Sequence, residues 1–188
     1  MLMNPFRRRD NPYLLVVGMT GVKMGDRLVQ IGCAHGGRLA AVAGKVGLSG
    51  RAVAVVPDDA SAARAAKGAA QAGVLVDVTV APPTRLGLDD GAFDLAVIDD
   101  TGGLLATMRP EDRVAAVRET LRVLRPGGRV IVVGAAPRGG LAAIITRVQA
   151  GPPFDPAPSL QADGFKSVRH LAEREGLVFV EGIKPRSS

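Results

Sequence analysis

The feature that most constrains this chain is a repeated alternation of short apolar runs and helical patterns. Leu28–Ile31, Ala52–Val56, Val74–Val80, Phe93–Ile98 and Arg129–Val133 are uninterrupted or nearly uninterrupted apolar segments. Such runs mark strands covered on both faces. Between them, Arg38–Val46 places Leu39, Val42 and Val46 on one helical face, and Asp59–Ala72 is an alanine-rich helix with Asp58 as its N-cap and Gly73 at its end. Another helix opens at Pro110 beside Glu111 and Asp112. Its expected buried stripe is Val114, Val117, Leu121 and Leu124, with Pro126 as its stop. Strand–helix–strand spacing of this kind gives right-handed crossovers and a parallel sheet with helices on both faces. The predicted fold class is α/β, a doubly wound Rossmann-like sheet. With 188 residues, a single domain spanning 1–188 is expected.

The flanks are read more loosely. Residues 1–11, with Arg7-Arg8-Arg9, form a flexible basic arm, and a short helix covers Pro12–Val22. Beyond the fifth strand a helix is expected over Gly139–Ala150, followed by a Pro-rich loop, 151–158, that serves as a lid or a tether. Phe165–Glu175 fits either a helix or a strand, and Leu177–Ile183 reads as the last strand.

Several function classes are disfavoured. Only 3% of residues are aromatic, too few for the stacking platforms that hold single-stranded nucleic acid. The net charge of +6 comes from scattered Lys and Arg, the pattern of a solvated surface, so no nucleic-acid partner is expected. One cysteine, Cys33, and two histidines, His35 and His170, provide neither a disulfide nor a zinc set, and no metal is expected. Tyr13–Val17 is far short of the ~20 apolar residues of a membrane span. A soluble cytoplasmic protein is expected, with at most weak membrane-surface contact through Phe6 and the arginines.

In a doubly wound sheet ligands bind at the carboxyl ends of the strands. That rule gathers the Gly32–Gly37 loop, Pro57-Asp58, Ala81-Pro82 and Asp99-Asp100 around one cleft. A glycine turn running into a helix exposes backbone N–H groups and a positive helix end, suited to a carboxylate or a sugar edge. The same turn also serves plain βα packing. Cys33 reads as a small buried filler, Asp94 as a pin for the start of its strand, and His170 as a surface residue.

Three stretches together resemble the class I S-adenosylmethionine-dependent methyltransferases. Gly25-Asp26-Arg27-Leu28-Val29-Gln30-Ile31-Gly32-Cys33-Ala34-His35-Gly36 is similar to the family's G-D-x-V-L-D-I-G-C-G-x-G. Leu86 to Leu95 resembles L-P-F-x-D-G-S-F-D-L, and Leu121 to Val130 (LRVLRPGGRV) matches almost letter for letter. Ala162-Asp163-Gly164-Phe165 resembles the A-A-G-F before the sixth strand. The resemblance implies a seven-stranded sheet with strands 1–5 parallel and an antiparallel C-terminal pair, so it turns Phe165–Glu175 into a strand. It also implies S-adenosylmethionine as cofactor and a small-molecule or lipid-like acceptor. Cofactor contacts are carried onto Gln30, Gly32, Cys33, Ala34, His35, Gly36, Pro57, Asp58 and Pro82, and catalytic roles onto Asp99 and Asp100, with a turn pair as the plainer reading of those two.

The departures are specific. Gln30, Pro57 and Pro82 stand where family members carry acidic residues, and Ala34 replaces the middle loop glycine. Asp58 either swings into the ribose position or remains a helix cap. A catalytically degenerate fold acting as a binding or scaffold subunit is therefore the rival expectation.

Overall fold

A computed structural model describes residues 12–136 and 154–186. Helix α1 (Leu14–Thr20) leads into β1 (Arg27–Ile31), α2 (Gly36–Val46), β2 (Arg51–Val56), α3 (Asp59–Ala72), β3 (Asp77–Val80) and β4 (Phe93–Asp100). Then come α4 (Pro110–Val123), β5 (Leu124–Ala135), a short helix α5 (Ala157–Ala162), β6 (Lys166–Arg174) and β7 (Leu177–Ile183). The seven strands lie in the order β3-β2-β1-β4-β5-β7-β6. β1 to β5 pair in parallel, and β7 runs antiparallel to both β5 and β6. The expected basic arm and the Gly139–Ala150 helix lie outside the described residues, as do the first three residues of the Pro-rich loop. Among the described residues no helix is long and apolar enough to cross a membrane.

The central strands earn their positions by having both faces apolar. Val29, Ile31, Val53, Val55, Ala96, Ile98, Val130, Val132 and Val180 pack on one face with α4 and α5. Leu28, Ala52, Leu95, Val97, Ile131, Val133 and Phe179 pack on the other with α1 and α2. Alternate residues of each strand thus serve opposite layers. Asp94 ties the start of β4 to its neighbours: its carboxylate accepts from the Arg27 main-chain N–H at 2.8 Å and from Arg125 Nε at 2.5 Å.

Three boundaries differ from the sequence reading. The buried stripe of α4 is Ala116, Val117, Thr120 and Val123, while Val114 and Leu121 are half-buried and Leu124 already belongs to β5. Thr120 can face the core because its hydroxyl donates to the Ala116 carbonyl at 2.8 Å. Pro126 does not stop the helix; it sits in an irregular stretch of β5 between the Phe93–Leu124 and Leu95–Arg129 pairs. The third strand is only Asp77–Val80, a mostly exposed edge pairing with the second half of β2. Val74 instead closes the end of α3, donating to the Ala69 carbonyl.

Candidate functional site

Strand parity divides the two acids at the end of β4. Side chains alternate across a strand, so Asp99 joins the face of Leu95 and Val97 and Asp100 that of Ala96 and Ile98. Both lie at the carboxyl end of the strand, but they belong to different clefts.

On the first face, Asp99 meets the glycine loop. Gly32 has φ +79° and its N–H donates to the Val55 carbonyl. A Cβ at Gly32 would lie 2.8 Å from Leu104 Cδ2 and 3.1 Å from the Asp99 carbonyl oxygen, so the loop after β4 sits directly against the turn. Gln30 is buried, and its Nε2 donates to the Gly32 carbonyl at 3.0 Å. Ala34 N–H donates to Asp99 Oδ2 at 2.9 Å, and the Thr101 hydroxyl donates to Asp99 Oδ1 at 2.6 Å. Arg38, from the first turns of α2, pairs with Asp99 at 3.4 Å and also donates to the Thr101 hydroxyl. A space of about 10 Å³ remains between Val16, Gln30, Arg38, Val97, Asp99 and Val133, room for roughly one water.

This end fits the amino-acid portion of S-adenosylmethionine by its chemistry. Arg38 offers a cation to an α-carboxylate and Asp99 an anion to an α-ammonium, in a site shielded enough for both to count. At present the two charges satisfy each other, so a zwitterion entering the cleft would exchange with an existing pair. Cys33 fills space below the loop; burial, with the Asp99 charge, pushes its thiol up to about 11, which removes it as a nucleophile. Its carbonyl accepts from Arg64 Nη1 at 2.6 Å. His35 is exposed, its ring 5.4 Å from that of Tyr13.

The adenosyl rim is different in kind. Pro57 and Pro82 are exposed. Asp58 is used locally: its Oδ1 accepts from the Ser61 N–H at 2.7 Å as the N-cap of α3, and that hydrogen bond holds the carboxyl below its ordinary range. The cap role is therefore the one occupied. A larger cavity, about 250 Å³, lies at the opposite end of the sheet between Val46, Leu48, Arg51, Gly73 and Leu75, remote from these residues.

On the second face, Asp100 Oδ1 accepts from Leu105 N–H at 2.6 Å and Ala106 N–H at 3.4 Å, fixing the loop that covers Gly32. Burial raises the Asp100 carboxyl above its ordinary value despite those two donors. Asp100 also lines a cavity of about 210 Å³ with Val132, Phe154, His170, Glu173 and Val180. His170 is exposed, as expected of a surface residue, and its Nε2 lies 3.1 Å from Asp155 Oδ1 at the rim of this cavity. No local motif flags it, because Asp155 and His170 meet only once the β6–β7 hairpin folds against the segment before α5.

The fold matches a SAM-dependent methyltransferase from Aquifex aeolicus at 17% identity and TM-score 0.70, covering 90% of this chain and 87% of that one. It also matches the [4+2]-cyclase SpnF (21% identity, TM-score 0.66, 92% of this chain and 79% of that one). A third match comes from a complex of the Haloferax volcanii Trm112 methyltransferase activator with a putative methyltransferase (15% identity, TM-score 0.67, 93% and 88% coverage). No curated protein sequence matches the chain. S-adenosylmethionine is the cofactor that the family and these neighbours imply. The family model described as a methyltransferase domain matches residues 29–132, more than half of the sequence, and the chain belongs to that family.

Proposed function

We propose that the protein is a SAM-dependent methyltransferase acting on a small-molecule acceptor. The observation that carries this reading is the Arg38–Asp99 pair beside the Gly32 turn, its carboxylate buried and its guanidinium partly shielded. Arg38 and Asp99 hold the two charges of the amino-acid end, with Gln30 and the Gly32–Gly36 main chain shaping the turn around it. When bound, the cofactor supplies an electrophilic methyl group. Asp100 keeps the Thr101–Ala106 loop in place against the Gly32 turn and, on the other face of β4, lines a separate cavity. Alignment and exclusion of water are the main demands of such a transfer.

Calorimetric titration with S-adenosylmethionine and S-adenosylhomocysteine tests this. Micromolar binding of both, lost in Arg38→Ala, is the expected result. No heat at millimolar ligand would sink it. That outcome favours a second reading, a non-catalytic binding subunit, which the proline rim motivates: each missing charge-assisted bond costs roughly tenfold in affinity.

A further inference from the structure

We infer that the open edge of β3 is an interface for a second copy of this chain, the two β3 strands pairing antiparallel about a two-fold axis at Val78. Among the described residues nothing pairs with the outer side of β3 or of β6, the two ends of the sheet. These edges are finished differently. β6 carries Lys166, Arg169, His170, Glu173 and Arg174, and its register against β7 shifts twice. Charge and irregularity of this kind keep an edge from pairing. The stretch 74–80 (VLVDVTV) has one charge, no proline and an unbroken register with β2. That charge, Asp77, is paired with Arg51 at 3.2 Å. Leu75 is 80% exposed and Val80 48%, so apolar side chains flank an edge ready to pair.

Strand parity selects the register. Ala81 N–H donates to the Val56 carbonyl. In a parallel ladder Asp77, Thr79 and Ala81 therefore turn their main-chain groups to β2, while Val76, Val78 and Val80 turn theirs outward. A two-fold axis normal to the sheet sets residues of like parity opposite each other. Centred on Val78, it pairs Val78 with Val78, Val76 with Val80 and Val80 with Val76, each exchanging N–H···O bonds in both directions. Asp77 then faces Thr79 of the second copy, and Leu75 faces its Ala81. An axis at Asp77 would oppose two carboxylates. One at Thr79 would set Val76 against Pro82, which has no N–H to give. The flanking helix fits the same occupant. Gly68 of α3 packs on Gly36 of α2, and Ala63, Ala66 and Ala70 lie roughly 140–160° around the helix from Gly68. With the order β3-β2-β1, that flank looks towards the open edge, and all three alanines are exposed. Small side chains let two copies of α3 approach across the seam, and their antiparallel order holds the two Asp59 carboxylates at opposite ends. The surface is thus complementary to itself, which a two-fold dimer requires and a foreign partner does not.

Sedimentation velocity across a dilution series of the full chain tests this, independently of methyl transfer. A reversible monomer–dimer equilibrium in the micromolar range is expected. Thr79 is exposed, so its substitution leaves the core intact. Thr79→Asp sets an acid against Asp77 of the second copy at both symmetry-related positions and should weaken the dimer about tenfold. Thr79→Lys sets a cation there and should tighten it several-fold. Val80→Pro removes an outward N–H without touching a β2 bond, and should also weaken the dimer about tenfold. A chain still monomeric at about 200 μM, well above a micromolar Kd, overturns the inference and leaves the edge to an extended segment of another protein. A dimer that none of the three substitutions moves overturns it as well, because its seam then lies elsewhere. So does one that Thr79→Asp and Thr79→Lys shift in the same direction, because the strands then pair in another register.

Discussion

The two ends of the glycine-loop cleft are built by opposite strategies. At the amino-acid end, Gln30 and Asp99 are buried, Arg38 is partly shielded, and each of the three side chains has an internal partner. At the adenosyl rim, Pro57, Asp58 and Pro82 are exposed, and the one carboxylate there serves its own helix. A buried charge persists only with a partner, whereas an exposed one is solvated and free to be lost. The difference teaches where recognition is concentrated: affinity for the cofactor should come mainly from its amino-acid portion.

Breaking the charged end is expected to have the largest effect. Asp99→Ala would leave Arg38 without its carboxylate and the Ala34 N–H without its acceptor. Removing one partner of a buried pair typically costs 3–5 kcal/mol; Arg38 keeps some solvent contact, so about 3 kcal/mol is expected. Urea unfolding should show a lower midpoint at unchanged slope. A loss under about 1 kcal/mol would mean that the pair behaves as a surface ion pair and that the contrast between the ends is false. Gly32→Ala comes next. Its positive φ and the nearby Asp99 carbonyl strain any side chain there, at a cost of about 2 kcal/mol. A midpoint equal to wild type would show that the Leu104 loop yields readily.

Much of this was legible in sequence for a physical reason. Uninterrupted apolar runs and helix stops specify a two-faced sheet because burial on both sides tolerates few polar residues, and Leu28–Ile31 and Phe93–Ile98 fall where expected. The glycine turn and the acid pair were found at the same sheet edge. The division of Asp99 from Asp100 follows from strand alternation, yet the sequence reading placed both at one cleft. Arg38 escaped because an arginine in a helix is ordinarily a solvated residue, and only folding aims it at β4. Asp155 and His170 escaped because their pairing depends on the hairpin order, with β7 between β5 and β6. At α4 the error was one of detail: a threonine that pairs its own hydroxyl can occupy a core position.

The rim can be sharpened with Asp58→Ala. If Asp58 serves α3 alone, its loss should lower the urea midpoint slightly through the missing cap. S-adenosylhomocysteine affinity should stay within about twofold by calorimetry, well below the tenfold of a lost charge-assisted contact. A tenfold weakening would return Asp58 to the ribose and make the two ends more alike than their burial suggests.

The smallest expected effect is a change of slope, and it separates the two acids of β4. Burial raises the folded-state value of Asp100. Between the ordinary carboxylate range and that raised value, the folded protein keeps a proton that the unfolded chain has released. The unfolded state then binds fewer protons, so Asp100 subtracts stability as pH rises through this window and leaves a constant deficit above it. Asp100→Asn keeps an oxygen for the Leu105 and Ala106 N–H groups and removes the titration. The variant should match wild type at acid pH, gain on it as pH rises, and hold that gain at neutrality in urea melts taken along the series. A gap that is constant or shrinks with pH would mean that the two N–H donors outweigh burial at Asp100. The contrast between the clefts would then rest on the direction of the side chains alone.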